Sequence, residues 1–197
     1  MISSASERVR AVNQLVRQPA AAVSASAGEG DESRQYLTFL LAGEMYAVRI
    51  LNVKEIIEYG SLTEIPMMPG FIRGVINLRG AVVPVIDLAA RFGGAATQVG
   101  RRTCIVIIEL VDDDGRHDIG VVVDAVSEVL EIPSGEIEPA PSFGARIRAD
   151  FIAGMGKVNG RFVIILDILR VLSVEEMSLL CATGQGGEAT PHPPGAH

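Results

Sequence analysis

The sequence predicts an all-β protein built as two small five-stranded β-barrels packed together, with short helices and a C-terminal helix. Three observations lead there. First, the chain says the same thing twice. Phe71-Ile72-Arg73-Gly74, Gly80 and Val85-Ile86-Asp87-Leu88 return 80 residues later as Phe151-Ile152-Ala153-Gly154, Gly160 and Ile165-Leu166-Asp167-Ile168. Val53-Lys54-Glu55-Ile56-Ile57 is echoed by Val126-Ser127-Glu128-Val129-Leu130 at an offset of 73. Second, 48% of the chain is hydrophobic, yet aromatics make up 5% and Trp is absent. The core must then come from Val, Ile and Leu, a bias toward strands. Third, short apolar runs recur at regular spacing between turn signals, and closure into barrels removes unpaired sheet edges. Each unit is too short to bury a large core alone. The two must therefore pack together, and the seam between them is a natural binding place.

The elements follow in order. Residues 1–34 read as a flexible tail: Ser6 to Gln18 has the spacing of a short amphipathic helix, with Val9, Val12, Leu15 and Val16 on one side, but Pro19 to Gly30 is Ala, Ser and Gly. Tyr36 to Leu41 is a strand, Ala42-Gly43-Glu44 a turn, and Met45 to Val48 the return strand. Val53 to Tyr59 is a third strand. The two prolines of Pro66-Met67-Met68-Pro69 stiffen the next loop. Gly74 to Leu78 and Ala81 to Ile86 form a hairpin around Arg79-Gly80. Asp87 caps a short helix that ends at Gly93-Gly94. This places the first barrel at about 35–92.

The second barrel is expected at about 101–170. Thr103 to Leu110 is almost wholly apolar, as a strand buried on both faces would be, and includes Cys104 as a core thiol. Asp112-Asp113-Asp114-Gly115 is a turn without the ligand spacing of a calcium loop. His117 to Asp124 and Val126 to Ile132 are strands, and Pro133 to Arg148 is irregular. Phe151 to Val158 and Arg161 to Leu166 form a hairpin around Asn159-Gly160, a strong hairpin signal. A helix is expected over 171–181, with Ser173 and Glu176 at capping-box spacing. Residues 182–197 have the composition of a disordered tail.

The same residues exclude several chemistries. The formal net charge is −7 and Arg101-Arg102 is the one basic pair, so nucleic acid is not an expected partner. No secretory signal or membrane-length apolar run is visible, which points to a reduced, cytoplasmic protein without membrane insertion. No metal-ligand cluster, phosphate loop or nucleophile elbow is present, so neither an enzyme nor a cofactor is expected. Asp87 and Asp167 occupy the same slot of each repeat, where a repeated helix cap explains them. Two polar residues stand in apolar surroundings, Glu55 between Val53 and Ile56, and Arg79 beside Leu78. Each reads either as an ordinary solvent-facing residue or as part of a functional surface.

The run Gly74-Val75-Ile76-Asn77-Leu78-Arg79-Gly80, followed by Val82-Val83-Pro84-Val85-Ile86-Asp87-Leu88, resembles the central signature of the CheW family of chemotaxis coupling proteins. Tyr46-Ala47-Val48, Ile50 to Ile56, Gly120 to Val126 and Glu175 to Leu180 resemble other stretches of that family, in order. The resemblance spans residues 35–181 and leaves out both tails. It implies SH3-like barrels and a non-catalytic adaptor that bridges the cytoplasmic tip of chemoreceptors and the regulatory domain of a CheA-like histidine kinase. A chain without room for a kinase or receiver domain is expected to act as a stand-alone adaptor. By position the resemblance assigns Val53 and Glu55 to a partner-facing surface of the first barrel. It makes Arg79, beside Gly74, Asn77 and Gly80, the signature arginine that pairs with the glutamate. It places Val129 on the second barrel near a receptor groove. The alternatives are a coupling protein of a twitching-motility or other chemosensory pathway and, more distantly, a small β-barrel ligand-binding protein or enzyme.

Overall fold

The computed structural model describes residues 5–17, 34–112, 115–141, 147–173 and Glu175. Its helices are α1 (Ala5–Arg17), α2 (Leu88–Arg91) and α3 (Ile168–Val171). Its strands are β1 (Arg34–Leu41), β2 (Glu44–Arg49), β3 (Val53–Glu58), β4 (Ile72–Leu78), β5 (Ala81–Asp87), β6 (Cys104–Asp112), β7 (Gly115–Val123), β8 (Ala125–Ile132), β9 (Ile137–Glu138), β10 (Ile152–Val158) and β11 (Arg161–Leu166). They form two sheets, in the orders β8-β1-β2-β11-β10-β9 and β3-β6-β7-β5-β4. Each sheet closes on itself. Beyond β3 the chain bends back, and Thr63 exchanges backbone hydrogen bonds with Val75 on β4 (2.9 and 2.8 Å). Beyond β8 it does the same through β9, which pairs with β10 at Met155↔Glu138. The all-β, two-barrel class is the fold observed.

The strands are not divided between the barrels as the repeat suggested. One barrel is the continuous stretch β3 to β7. The other takes β1 and β2 from the start of the chain and completes itself with β8 to β11. The expected division at 35–92 and 101–170 is therefore corrected: each repeat lends its first hairpin to the other repeat's barrel. The joints are parallel, Val85↔Gly120 to Asp87↔Val122 in one barrel and Ile164↔Tyr46, Ile165↔Ala47 in the other. Parallel neighbours cannot be joined by a tight turn and need a long crossover. Hairpin signals in the sequence carry no information about such joints.

This exchange explains the continuous apolar runs. On β6, Ile105 and Ile107 point into one barrel with Val83, Val85 and Val122. Cys104, Val106 and Ile108 face the seam with Leu37, Phe39, Val121 and Val123. Desolvation there pushes the Cys104 thiol above its ordinary pKa. Across the seam runs a row of rings, Phe39, Tyr46, Phe92 and Phe151, with successive centroids 6.1, 5.9 and 6.0 Å apart. Arg91 lies over both Phe71 and Phe151, equivalent residues of the two repeats, at 5.3 and 4.9 Å. These ring and cation contacts add to the apolar burial that locks the halves.

The flexible tail expected over 1–34 is also corrected for its first part. Ala5–Arg17 is a helix, with Val9 and Val12 buried in the shared core and Val16 packed against it. A 13-residue helix is marginal alone in water. Burying the two valines contributes roughly 3 kcal/mol, which is what its sparse composition concealed. Residues 1–4, 18–33, 113–114, 142–146, 174 and 176–197 lie outside the described residues. With them go the expected linker, part of the acidic turn, most of the helix expected over 171–181, and the C-terminal tail.

The repeated glycines divide by cause. Gly80 has φ +90° with open space around it, so a turn conformation is its reason. Gly74 has φ +138°, and a Cβ there would stand 2.3 Å from the Thr63 carbonyl oxygen, at the closure of the barrel. Gly80→Ala should destabilise by about 1 kcal/mol, and Gly74→Ala by about 3 kcal/mol or more because a clash adds to the strain. For a chain of this size those are melting shifts of about 3 °C and about 10 °C. Thermal unfolding of the two variants checks this, and equal shifts would contradict it.

Candidate functional site

Glu55 lies on β3 beside a break in register, where the pairing with β6 steps from Val53↔Ile108 to Glu55↔Ile107. Its side chain is 8% exposed. The carboxylate meets the guanidinium of Arg79 head-on: Nη1 donates to Oε1 at 2.5 Å and Nη2 to Oε2 at 2.8 Å. A two-pronged pair of this kind fixes orientation as well as charge. β3 and β4 stand at opposite ends of their sheet's strand order. The pair therefore ties β3 to the β4–β5 turn across the line where the barrel closes. The pairing that family resemblance implied is present, but Glu55 is not the solvent-facing residue of the ordinary reading.

Arg79 reaches Glu55 at a conformational cost. It sits at φ +52°, followed by Gly80 at +90°, in a two-residue turn between β4 and β5. Left-handed backbone is uncommon for a long side chain and favours Gly or Asn. The Asn77 side chain steadies the turn, its Oδ1 accepting from the Gly80 N–H at 2.8 Å. The equivalent turn of the other repeat is Asn159-Gly160, with φ +49° and +76°. There the preferred residue is present, and the equivalent glutamate, Glu128, is exposed. Arginine in one copy and asparagine in the other marks Arg79 as placed for something besides the turn. Its guanidinium is held above its ordinary pKa by the hydrogen bond and charge of Glu55. Arg79 remains 63% exposed, so a partner can reach it.

The other residues singled out in the sequence fall into different roles. Val53 is buried in the shared core, so it packs and does not face a partner. Gly74 is buried too, under the closing segment. Asn77 and Gly80 are exposed and hold the Arg79 turn. Val129, half-buried on β8, packs against the shared core. Asp87 does cap α2, accepting from the Ala90 N–H at 3.2 Å. It also accepts from the backbone and hydroxyl of Thr97 at 2.8 and 3.0 Å and pairs with Arg73 at 3.3 Å, fully buried. Asp167 caps α3 at the equivalent place.

Sequence reasoning missed several neighbours. Leu51, 85% exposed, precedes β3, and Val82, 72% exposed, stands on β5 just past the Arg79 turn. On α1, Arg17 comes within 3.9 Å of Glu55, and Asn13 grips the adjacent Ile56. Asn13 and Arg17 are one helical turn apart along the flank of the stripe Val9, Val12 and Val16, a polar pair that could have flagged a docked face. Among the described residues no three His, Cys, Asp or Glu side chains gather to hold a metal ion.

A model of the CheW-like domain matches residues 35–176. The chain belongs to the CheW-like family. It is 38% identical to the chemotaxis protein CheW of Klebsiella aerogenes over 160 residues, which cover 81% of this chain and 93% of that one. It is 33% identical to the chemotaxis protein CheW of Bacillus subtilis over 139 residues, 71% of this chain and 86% of that one. It is 31% identical to protein FrzA of Myxococcus xanthus over 136 residues, 69% and 82% of the two chains. Among solved structures, the scaffolding protein CheW of Thermoanaerobacter tengcongensis superposes with a TM-score of 0.66 at 36% identity, covering 73% of this chain and 94% of that one. The CheW-like match begins after α1.

Removing Arg79 leaves the buried Glu55 carboxylate with Arg17 at 3.9 Å as its nearest cation partner. Losing one member of such a pair is worse than losing both. Arg79→Asn keeps a turn residue suited to positive φ, so it isolates the pair from the turn. It should melt several degrees below wild type, and adding Glu55→Gln should recover part of the loss. Calorimetry of the two variants checks this; a double variant less stable than Arg79→Asn would refute it.

Proposed function

We propose that this protein is a non-catalytic adaptor that couples chemoreceptors to a CheA-like histidine kinase in chemotaxis signal transduction. The observation that carries the reading is Arg79, held in left-handed backbone and bonded two-pronged to Glu55 in one repeat, where the other repeat uses asparagine. Family membership and the likeness to a scaffolding protein support it. The working surface comprises Glu55, Arg79 and the turn residues Asn77 and Gly80, with Leu51 and Val82 as exposed apolar neighbours. Val129 borders the same seam from the second barrel. An apolar seam between strand edges accepts a helical hairpin tip. The charge pair at its rim sets the orientation of the partner more than its affinity. The adaptor works in the cytoplasm and joins membrane receptor arrays through its partners; no described helix is long and apolar enough to cross a membrane. The likeness to FrzA favours, as a second reading, the same coupling role in another chemosensory pathway.

The test is reconstitution with receptor-bearing membranes and a CheA-like kinase. Wild-type protein should co-sediment with both and raise receptor-dependent autophosphorylation. Arg79→Asn, folded by circular dichroism, should lower that activation about tenfold or more. No co-sedimentation by the wild type, or full activation by Arg79→Asn, would overturn the assignment.

A further inference from the structure

The helix α1 precedes the region matched to the family and lies across β3 and β8, the equivalent strands of the two barrels. It seals the free edge of β3. The Asn13 Nδ2 donates to the Ile56 carbonyl at 2.7 Å, and the Ile56 N–H donates to Asn13 Oδ1 at 2.7 Å. Those two backbone groups point away from β6 and would otherwise be an unpaired edge. The Ser6 hydroxyl donates to Glu58. Arg17 approaches the carboxylate that Arg79 already holds. The helix carries three arginines and one glutamate, opposite the two glutamates of β3. Val9 and Val12 complete the core, while Leu15, at the margin of the apolar stripe, stays exposed.

We propose that α1 is a resident occupant of the helix-accepting seam, so that a helical receptor tip binds only as α1 leaves. The inference rests on the coupling reading above. The seam is shaped for a helix because a helix fills it. A helical partner using the β3 edge and Glu55 must supply what α1 supplies: an apolar stripe, a side chain that pairs with the Ile56 backbone, and a cation near Glu55. The hold is releasable. It consists of two buried valines with Val16 beside them, one amide grip on backbone, the Ser6–Glu58 hydrogen bond and an ion pair whose arginine is 66% exposed, the kind that contributes little. If the open form is the minor one, the apparent affinity for the tip falls by its fractional population.

The experiment uses the full chain and a soluble chemoreceptor cytoplasmic hairpin as the probe. In the free protein, hydrogen exchange at the Ile56 amide should be slow in wild type and fast in Asn13→Ala. Equal rates would mean that α1 does not hold this edge and would overturn the proposal. Calorimetric affinity for the hairpin should rise about tenfold in the Val12→Asp/Asn13→Ala variant, and by less in Asn13→Ala, which keeps the apolar face and guards against misfolding of the double variant. Binding that is unchanged or weaker in the single variant would overturn the proposal while leaving the coupling reading intact. No binding by wild type or variants would overturn both.

Discussion

The architecture hangs on two short parallel joints, β5 with β7 and β2 with β11. Each fastens a hairpin from one repeat into the barrel of the other. Because the chain crosses the seam to make them, neither repeat is a self-sufficient unit. The strands nearest the seam are buried on both faces, one toward a barrel interior and one toward the shared core. That single constraint accounts for the aliphatic runs, the scarcity of charge in β6, and the ring row from Phe39 to Phe151.

Closed barrels built this way still have a line of closure, and the candidate site is built upon it. In the barrel of β3 to β7, the line is bridged by Thr63 and Val75 and by the Glu55–Arg79 pair, while Asn13 caps the outer edge of β3. The other barrel uses β9 for the same purpose and an Asn-Gly turn where Arg79 would stand. The two halves thus share a scaffold, and at this turn one carries an exposed arginine where the other carries Asn159. A duplicated fold can keep one copy for shape while the other carries recognition, and the asymmetry at Arg79 and Asn159 has that form. The likeness to scaffolding and chemotaxis proteins is consistent with a molecule whose chemistry lies in its surfaces.

The helix α1 adds a further layer to that line. Its polar insertions address backbone and carboxylate groups of β3, while its valines extend the shared core. A segment outside the family's matched region therefore shields one edge of the candidate site, and partner access and N-terminal structure become one equilibrium.

Much was legible in the residues before any fold was known, because local signals report local structure. The repeat, the strands, the Asn159-Gly160 turn, the caps at Asp87 and Asp167 and the buried Cys104 all follow from side-chain period and backbone preference. The charged residue in the turn at Arg79 and its partner Glu55 were also visible as misfits among apolar neighbours. The exchange of hairpins was not, since parallel pairing joins segments with no turn between them to announce it. Nor was the burial of Val53 and Glu55, and the amphipathic spacing of Ala5–Arg17 did not say where that helix docks. Those depend on what stands opposite a side chain across the seam, and the spacing of residues along the chain does not say which distant segment that is.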